Sequence, residues 1–153
     1  MDKIDKNILS VIQKNATVPL TELTKKIGIS STPCWNRIKK MEEEGIIDSK
    51  ITIVNNKKIN LPITVFLSIS VSSHQSQWLM KFQTTIMKYE QIVEVYRLAS
   101  SSTDYLLKIV APSIEEYDRF QQTLINEIEF TNMTSSIALD ELKKNYYLPL
   151  DFI

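Results

Sequence analysis

Apolar residues recur along this chain in two rhythms, and the rhythm changes near residue 60. Before that point they return every three or four positions, as in helices that bury one stripe. Ile4, Ile8 and Val11 form the first stripe. Asp2 is its expected N-cap, and the helix is expected to end near Asn15. Leu20, Leu23 and Ile27 form a second, shorter stripe. Gly28 follows at once, where a helix ends in a positive φ that costs glycine little. Ile29 plugs the corner. Ser30 offers an N-cap oxygen to a third helix, and Pro33 falls in its first turn, where a missing N–H is harmless. That helix runs to about Glu44 and stops at Gly45. A short helix, a glycine turn and a capped second helix make a helix-turn-helix. The next run, IIDSKITIVNNKKI from Ile46 to Ile59, is β-prone, with an Asn55-Asn56 turn. It predicts the wing of a winged helix and the strand leading out of it, with Lys57 set to touch phosphate.

Beyond Asn60–Pro62 the rhythm becomes two. Ile63, Val65, Leu67, Ile69 and Val71 alternate with mostly Thr and Ser, which predicts a half-buried strand. Leu79, Phe82, Ile86 and Tyr89 predict a helix from about Ser76 to Tyr89. Residues 92–98 and 105–111 read as strands joined by a polar connection at 100–104. Ser113 and Glu116 form a capping box, and Tyr117, Phe120, Leu124 and Ile128 stripe the helix after it. Met133, Ser135, Ile137 and Leu139 alternate in a fourth strand. The order β-α-β-β-α-β is ferredoxin-like. The expected class is therefore α+β, with a winged helix-turn-helix over residues 1–60 and a ferredoxin-like domain over 61–153.

On a wheel at about 100° per residue, Cys34, Ile38 and Met41 share one face of the third helix, with Trp35 at its edge. Thr32, Asn36, Lys39 and Lys40 lie opposite, with Arg37 on the flank. An apolar face for docking, backed by hydroxyl, amide and cationic groups, suits the DNA major groove. Ser30 opens that helix. Ser31, Thr32, Asn36 and Arg37 are the candidates for base edges or nearby phosphates, and Lys39 and Lys40 for phosphate. The competing reading is a solvated amphipathic helix.

Charge sharpens this picture. The net charge is zero, but residues 1–60 hold 11 Lys/Arg against 7 Asp/Glu, and residues 61–153 hold 7 against 11. A basic half and an acidic half suggest a DNA-facing part and a part with another task. One cysteine excludes an internal disulfide and a Cys-based zinc site, and Cys34 sits on a core face. The lone His74, in a polar segment, reads as an ordinary exposed histidine. No metal or cofactor is expected. Both glycines precede residue 46, so the second half has no glycine-rich phosphate loop. The chain opens without an apolar leader and has no apolar run near the ~18 residues of a membrane span. A cytoplasmic protein without membrane contact is expected.

Taken in order, these motifs resemble the Lrp/AsnC, or feast/famine, family of regulators. The resemblance runs through D-x-x-D-x-x-I-L (Asp2, Asp5, Ile8, Leu9) and G-I-S-x-T-P-C (Gly28 to Cys34). It continues through R-I-K-x-M-E-x-x-G-I-I (Arg37 to Ile47), T-D-Y-L-L-K-I-V (Thr103 to Val110) and Leu148-Pro149. It implies a DNA-binding winged helix and a βαββαβ domain that assembles homodimers, often then tetramers or octamers. It also implies a small effector, usually an amino acid, bound between such domains. The connection Ser100, Ser101, Ser102, Thr103, Asp104 carries four hydroxyls and one carboxylate. The carboxylate suits an α-ammonium group and the hydroxyls an α-carboxylate. By resemblance, Thr134 and Ser136 of the last strand complete that cleft. The plainer alternative is a hairpin turn that satisfies its own backbone.

Two departures stand out. The family usually has glycine ahead of the D-Y, where this chain reads L-A-S-S-S (Leu98 to Ser102), which narrows a ligand's approach to the backbone. Trp35 stands where an aliphatic residue is usual, and its wheel angle predicts partial burial against the first helix. The reading is thus a double-stranded-DNA-binding transcriptional regulator responsive to an amino acid. An effector-independent, nucleoid-like architectural protein is the main alternative. A tetrapyrrole-modifying enzyme of related fold is disfavoured, because no histidine or paired acids converge.

Overall fold

The computed structural model describes residues 1–72, 75–99 and 102–153. His74, Ser100 and Ser101 lie outside the described residues. The chain divides into two compact units: Met1–Ile53 with Leu142–Ile153, and Val54–Glu141.

The first unit is helical. α1 (Lys3–Ile12) is capped by Asp2, whose Oδ1 accepts the N–H groups of Ile4 and Asp5 at 2.8 and 3.0 Å. Asp5 Oδ2 accepts the Asp2 N–H in return, a capping box with aspartate in both roles. The helix ends at Ile12, short of the expected end near Asn15. α2 (Leu20–Ile27) closes at Gly28 with φ +78°, the Gly28 N–H reaching the Thr24 carbonyl. α3 (Ser31–Glu43) follows. Ser30 takes the N-cap position in extended backbone, yet its hydroxyl makes no capping bond. At the other end Gly45, with φ +69°, closes a Schellman motif. Its N–H donates to Glu42 and the Ile46 N–H to Met41. The stripes meet in a core of Ile8, Leu9, Ile12, Leu23, Cys34 and Met41.

The chain's last residues join this unit, although sequence patterning assigns them to the second domain. Gln13 Nε2 donates to the Leu148 carbonyl at 3.1 Å, and the Leu148 N–H donates to Gln13 Oε1 at 3.0 Å. Lys14 lies over the Tyr147 ring, and Leu150 packs on the helical core. One side-chain amide thus pairs with both backbone groups of a residue 135 positions away.

The β-prone run after Gly45 forms no strand. Ile51, Ile53 and Val54 are exposed, and a 3-10 turn over Asn56–Ile59 follows. A strand needs a ladder partner, and none of the described residues pairs with this run. The expected wing strands are therefore absent from the described residues.

The second unit holds β1 (Ile63–Ser70), α4 (Ser76–Lys88), β2 (Ile92–Arg97), β3 (Tyr105–Ala111), α5 (Ile114–Glu127) and β4 (Asn132–Ile137). The strands form one antiparallel sheet in the order β2-β3-β1-β4. Alternation decides its faces. Val65, Leu67, Ile69, Leu107 and Ile109 are buried with Phe82, Tyr117, Phe120 and Leu124 of the helices. Trp78 stacks on Phe82 at 4.9 Å, and Phe82 meets Tyr105 at 4.7 Å. Thr64, Phe66, Ser68 and Ser70 alternate onto the other face. β4 stops at Ile137, and Leu139 beyond it is 97% exposed rather than part of the strand.

Candidate nucleic-acid interface and effector region

α3 is the candidate reading helix, and its buried face fixes which side chains can reach out. Cys34 and Met41 are buried and Ile38 half-buried, so the helix is anchored by one face. Burial pushes the Cys34 thiol pKa upward, away from the reactive thiolate. Ser31, Thr32, Asn36, Lys39 and Lys40 are exposed on the remaining surface, as is Ser30 just before the helix. Lys40 Nζ stands 3.7 Å from Glu44 and is 72% exposed, open to a phosphate. Lys39 bonds Glu42 at 2.8 Å, and Lys50 bonds the other Glu42 oxygen at 2.6 Å. These two cations hold the Glu42 carboxyl down to about 2.

Arg37, on the flank of the wheel, is engaged by two carboxylates of α1 and its cap. Its Nη1 donates to Asp2 Oδ2 and to Asp5 Oδ1, both at 2.7 Å. Every oxygen of the two aspartates is thereby engaged: two on the guanidinium, two on the N-terminal amides of α1. The D-x-x-D motif caps α1 and ties α3 to it in one network. The Asp5 amide and then Arg37 hold the Asp2 carboxyl below its usual range. Asp5 and Asp2 in turn raise the Arg37 pKa.

Trp35 also departs from expectation. It is 52% exposed, because the stripe 34, 38, 41 makes the helix contact and the ring falls outside it. Lys39 Nζ sits 5.9 Å from its ring centroid. Lys57 lies in the 3-10 turn of the second unit and is exposed.

The proposed effector residues occupy one end of the sheet. Asp104 is held by the backbone on three sides. Its N–H donates to the Ile69 carbonyl, its carbonyl accepts from Leu98, and its Oδ2 accepts the Val71 N–H at 2.9 Å. The Ser70 hydroxyl donates to the Ser102 carbonyl at 2.6 Å, and Thr103 is half-buried. Thr134 and Ser136 are exposed on β4, opposite Ser68 and Phe66 of β1. The structure therefore brings Ser102 and Asp104 to one side of β1 and Thr134 and Ser136 to the other. Ser68 and Ser70 stand between them. Strict alternation in β1 already carried that signal, since serines out of phase with Val65, Leu67 and Ile69 must share the open face. Among the described residues, no group of His, Cys, Asp and Glu could hold a metal ion. None of their helices is long and apolar enough to cross a membrane.

A helix-turn-helix with an exposed polar face, joined to an α+β four-stranded domain, defines a class of DNA-binding regulator. Residues 1–48 match the winged helix-turn-helix DNA-binding family, and residues 64–148 match the Lrp/AsnC ligand binding domain. The chain belongs to the Lrp/AsnC family of transcriptional regulators. It is 37% identical over 150 residues to the glutamate uptake regulatory protein of Zymomonas mobilis, covering 98% of this chain and 91% of that one. The leucine-responsive regulatory protein of Escherichia coli is 30% identical, covering 95% and 88%. A crystal structure of an AsnC family regulator from Agrobacterium tumefaciens superimposes with a TM-score of 0.94 at 39% identity, covering 100% and 99%. A Neisseria meningitidis transcriptional regulator in complex with L-Met gives 0.93 at 27%, covering 99% and 98%.

Proposed function

We propose that the chain is a sequence-specific regulator that binds double-stranded DNA as a homo-oligomer in the cytoplasm and answers to an amino acid. The exposed face of α3 supports the DNA half of this reading: Ser31, Thr32 and Asn36 for base edges and nearby phosphates, Lys39 and Lys40 for phosphate, with Lys57 of the second unit as a separate phosphate candidate. Two copies would present two such helices to successive major grooves and favour a near-palindromic site. The amino-acid half is supported by relatives named for glutamate uptake and leucine response, and by a neighbour holding L-Met. In this reading the effector lies against Ser100, Ser101, Ser102, Thr103, Asp104, Thr134 and Ser136.

Selection from random duplexes, followed by titration, tests the first half. Asn36→Ala should cost roughly 1–3 kcal/mol on the selected duplex and little on random DNA. Lys40→Ala should weaken both alike and lower the salt slope by about one unit. Unchanged affinity in both variants would refute the reading helix. The Asp104 carboxylate already holds the Val71 N–H, which favours the second reading, a regulator with no effector. Calorimetry across the common amino acids separates the two, since heat of binding from none of them leaves the second.

A further inference from the structure

Arg37 is engaged by two carboxylates, so a guanine contact from it would have to break both ion pairs. Asn36 remains as a bidentate amide, the geometry that suits adenine. Beside it stands a large apolar surface that no packing role explains. Trp35 is 52% exposed at the edge of this face, with Thr32 and Lys39 as its neighbours three residues before and four after, and Asn36 about 100° further round. The ring is not adrift. Lys39 Nζ lies 5.9 Å from its centroid, and Glu42 holds that same ammonium at 2.8 Å. Glu42 is itself bridged to Lys50. A chain of charges therefore keeps one cation over the indole.

In the major groove, thymine is the base that offers an apolar group, its C5-methyl. We propose that Trp35 is a specificity-determining residue that packs its indole against a thymine methyl next to the base Asn36 contacts. Lys39 caps the ring from the phosphate side. The proposal rests on the DNA-binding reading above and adds a residue and a base atom to it. Its physical basis is desolvation: an exposed ring and an exposed methyl leave water together, and other bases present polar edges there.

The test uses the full chain and a duplex it selects from a random pool. Each thymine in turn is replaced by deoxyuridine, which removes only the methyl group. Affinity is measured by fluorescence anisotropy for the natural chain, Trp35→Ala and Trp35→Phe. At least one replacement should weaken the natural chain about fourfold, the worth of one buried methyl. Trp35→Ala should bind the thymine duplex more weakly and show no penalty at that replacement, while Trp35→Phe keeps part of it. Circular dichroism should be alike in all three, because the ring makes no core contact. If Trp35→Ala binds as the natural chain does, or keeps the same uracil penalty, Trp35 is not the reader and the DNA-binding reading survives. If the natural chain selects no duplex, both fail.

Discussion

Arg37 illustrates how one side chain changes meaning once its partners are known. A guanidinium on a reading helix invites a guanine contact, but here it closes a network with Asp2 and Asp5. Arg37→Ala should lower the melting temperature and weaken all DNA sites alike. A loss confined to one base position, with an unchanged melt, would restore the base-reading role. Arg37→Lys should rescue part of the loss, since both bonds leave one nitrogen and an ammonium carries three donors. This network and the separate Lys39–Glu42–Lys50 cluster set an acid response. Asp2 is held below the usual carboxylate range and Glu42 down to about 2, so both contribute stability that is full above the ordinary carboxylate pKa of about 4. That stability is lost as pH falls through their lowered values. Melting temperature should be flat near neutrality and fall below about pH 4, with a shallower fall in Asp2→Asn. An equally steep fall in that variant would exclude Asp2 as a source. Asp104 belongs to the same lesson. Asp104→Ala should cost about 1–3 kcal/mol by orphaning the Val71 N–H, with part recovered in Asp104→Asn, as read by urea melts.

At the scale of elements, local chemistry predicts most of what forms. Asp2, Gly28, Gly45 and Ser113 each sit at the helix end where their type is favoured. Gly45→Ala should cost about 1 kcal/mol from backbone strain alone, because a Cβ there meets nothing within 4 Å. A larger loss in a chemical melt would mean that the Schellman motif does more than end α3. The failures at this scale concern strands. Residues 51–54 have strand composition but no partner, and β4 ends two residues before its alternation does. Propensity describes what a segment can become, whereas a ladder needs a neighbour.

At the scale of the molecule, the two units differ in how their contacts arise. The sheet unit is built around β1, which pairs with both β3 and β4. The helical unit is completed by the chain's far end, through Gln13 and Leu148. Gln13→Ala should speed amide exchange at Leu148 and expose residues 146–150 to protease, leaving the sheet amides unchanged. Slow exchange at Leu148 in that variant would show that Leu150 alone holds the segment. Assembly belongs here too. Multi-angle light scattering of the full chain should give a dimer or a higher even-numbered state, and a monomer at working concentration would refute the homo-oligomer proposal.

The sequence by itself determined the helices and several of their caps (Asp2, Gly28, Gly45 and Ser113), the βαββαβ order and the buried face of the sheet. All of these follow from periodicity and end chemistry within a few neighbouring residues. It also located the polar face of α3, because a helix wheel needs no knowledge of the rest of the chain. Only the tertiary structure decided the partners. Arg37 meets Asp2 across 35 positions, Asp104 meets Val71 across 33, and Gln13 meets Leu148 across 135. Periodicity carries no information over such separations, so it could not show that Arg37 is engaged, that Asp104 braces a backbone, or that Trp35 is left exposed. Those three outcomes depend on which surfaces meet when the chain closes, and they decide which residues remain available to DNA and to an effector.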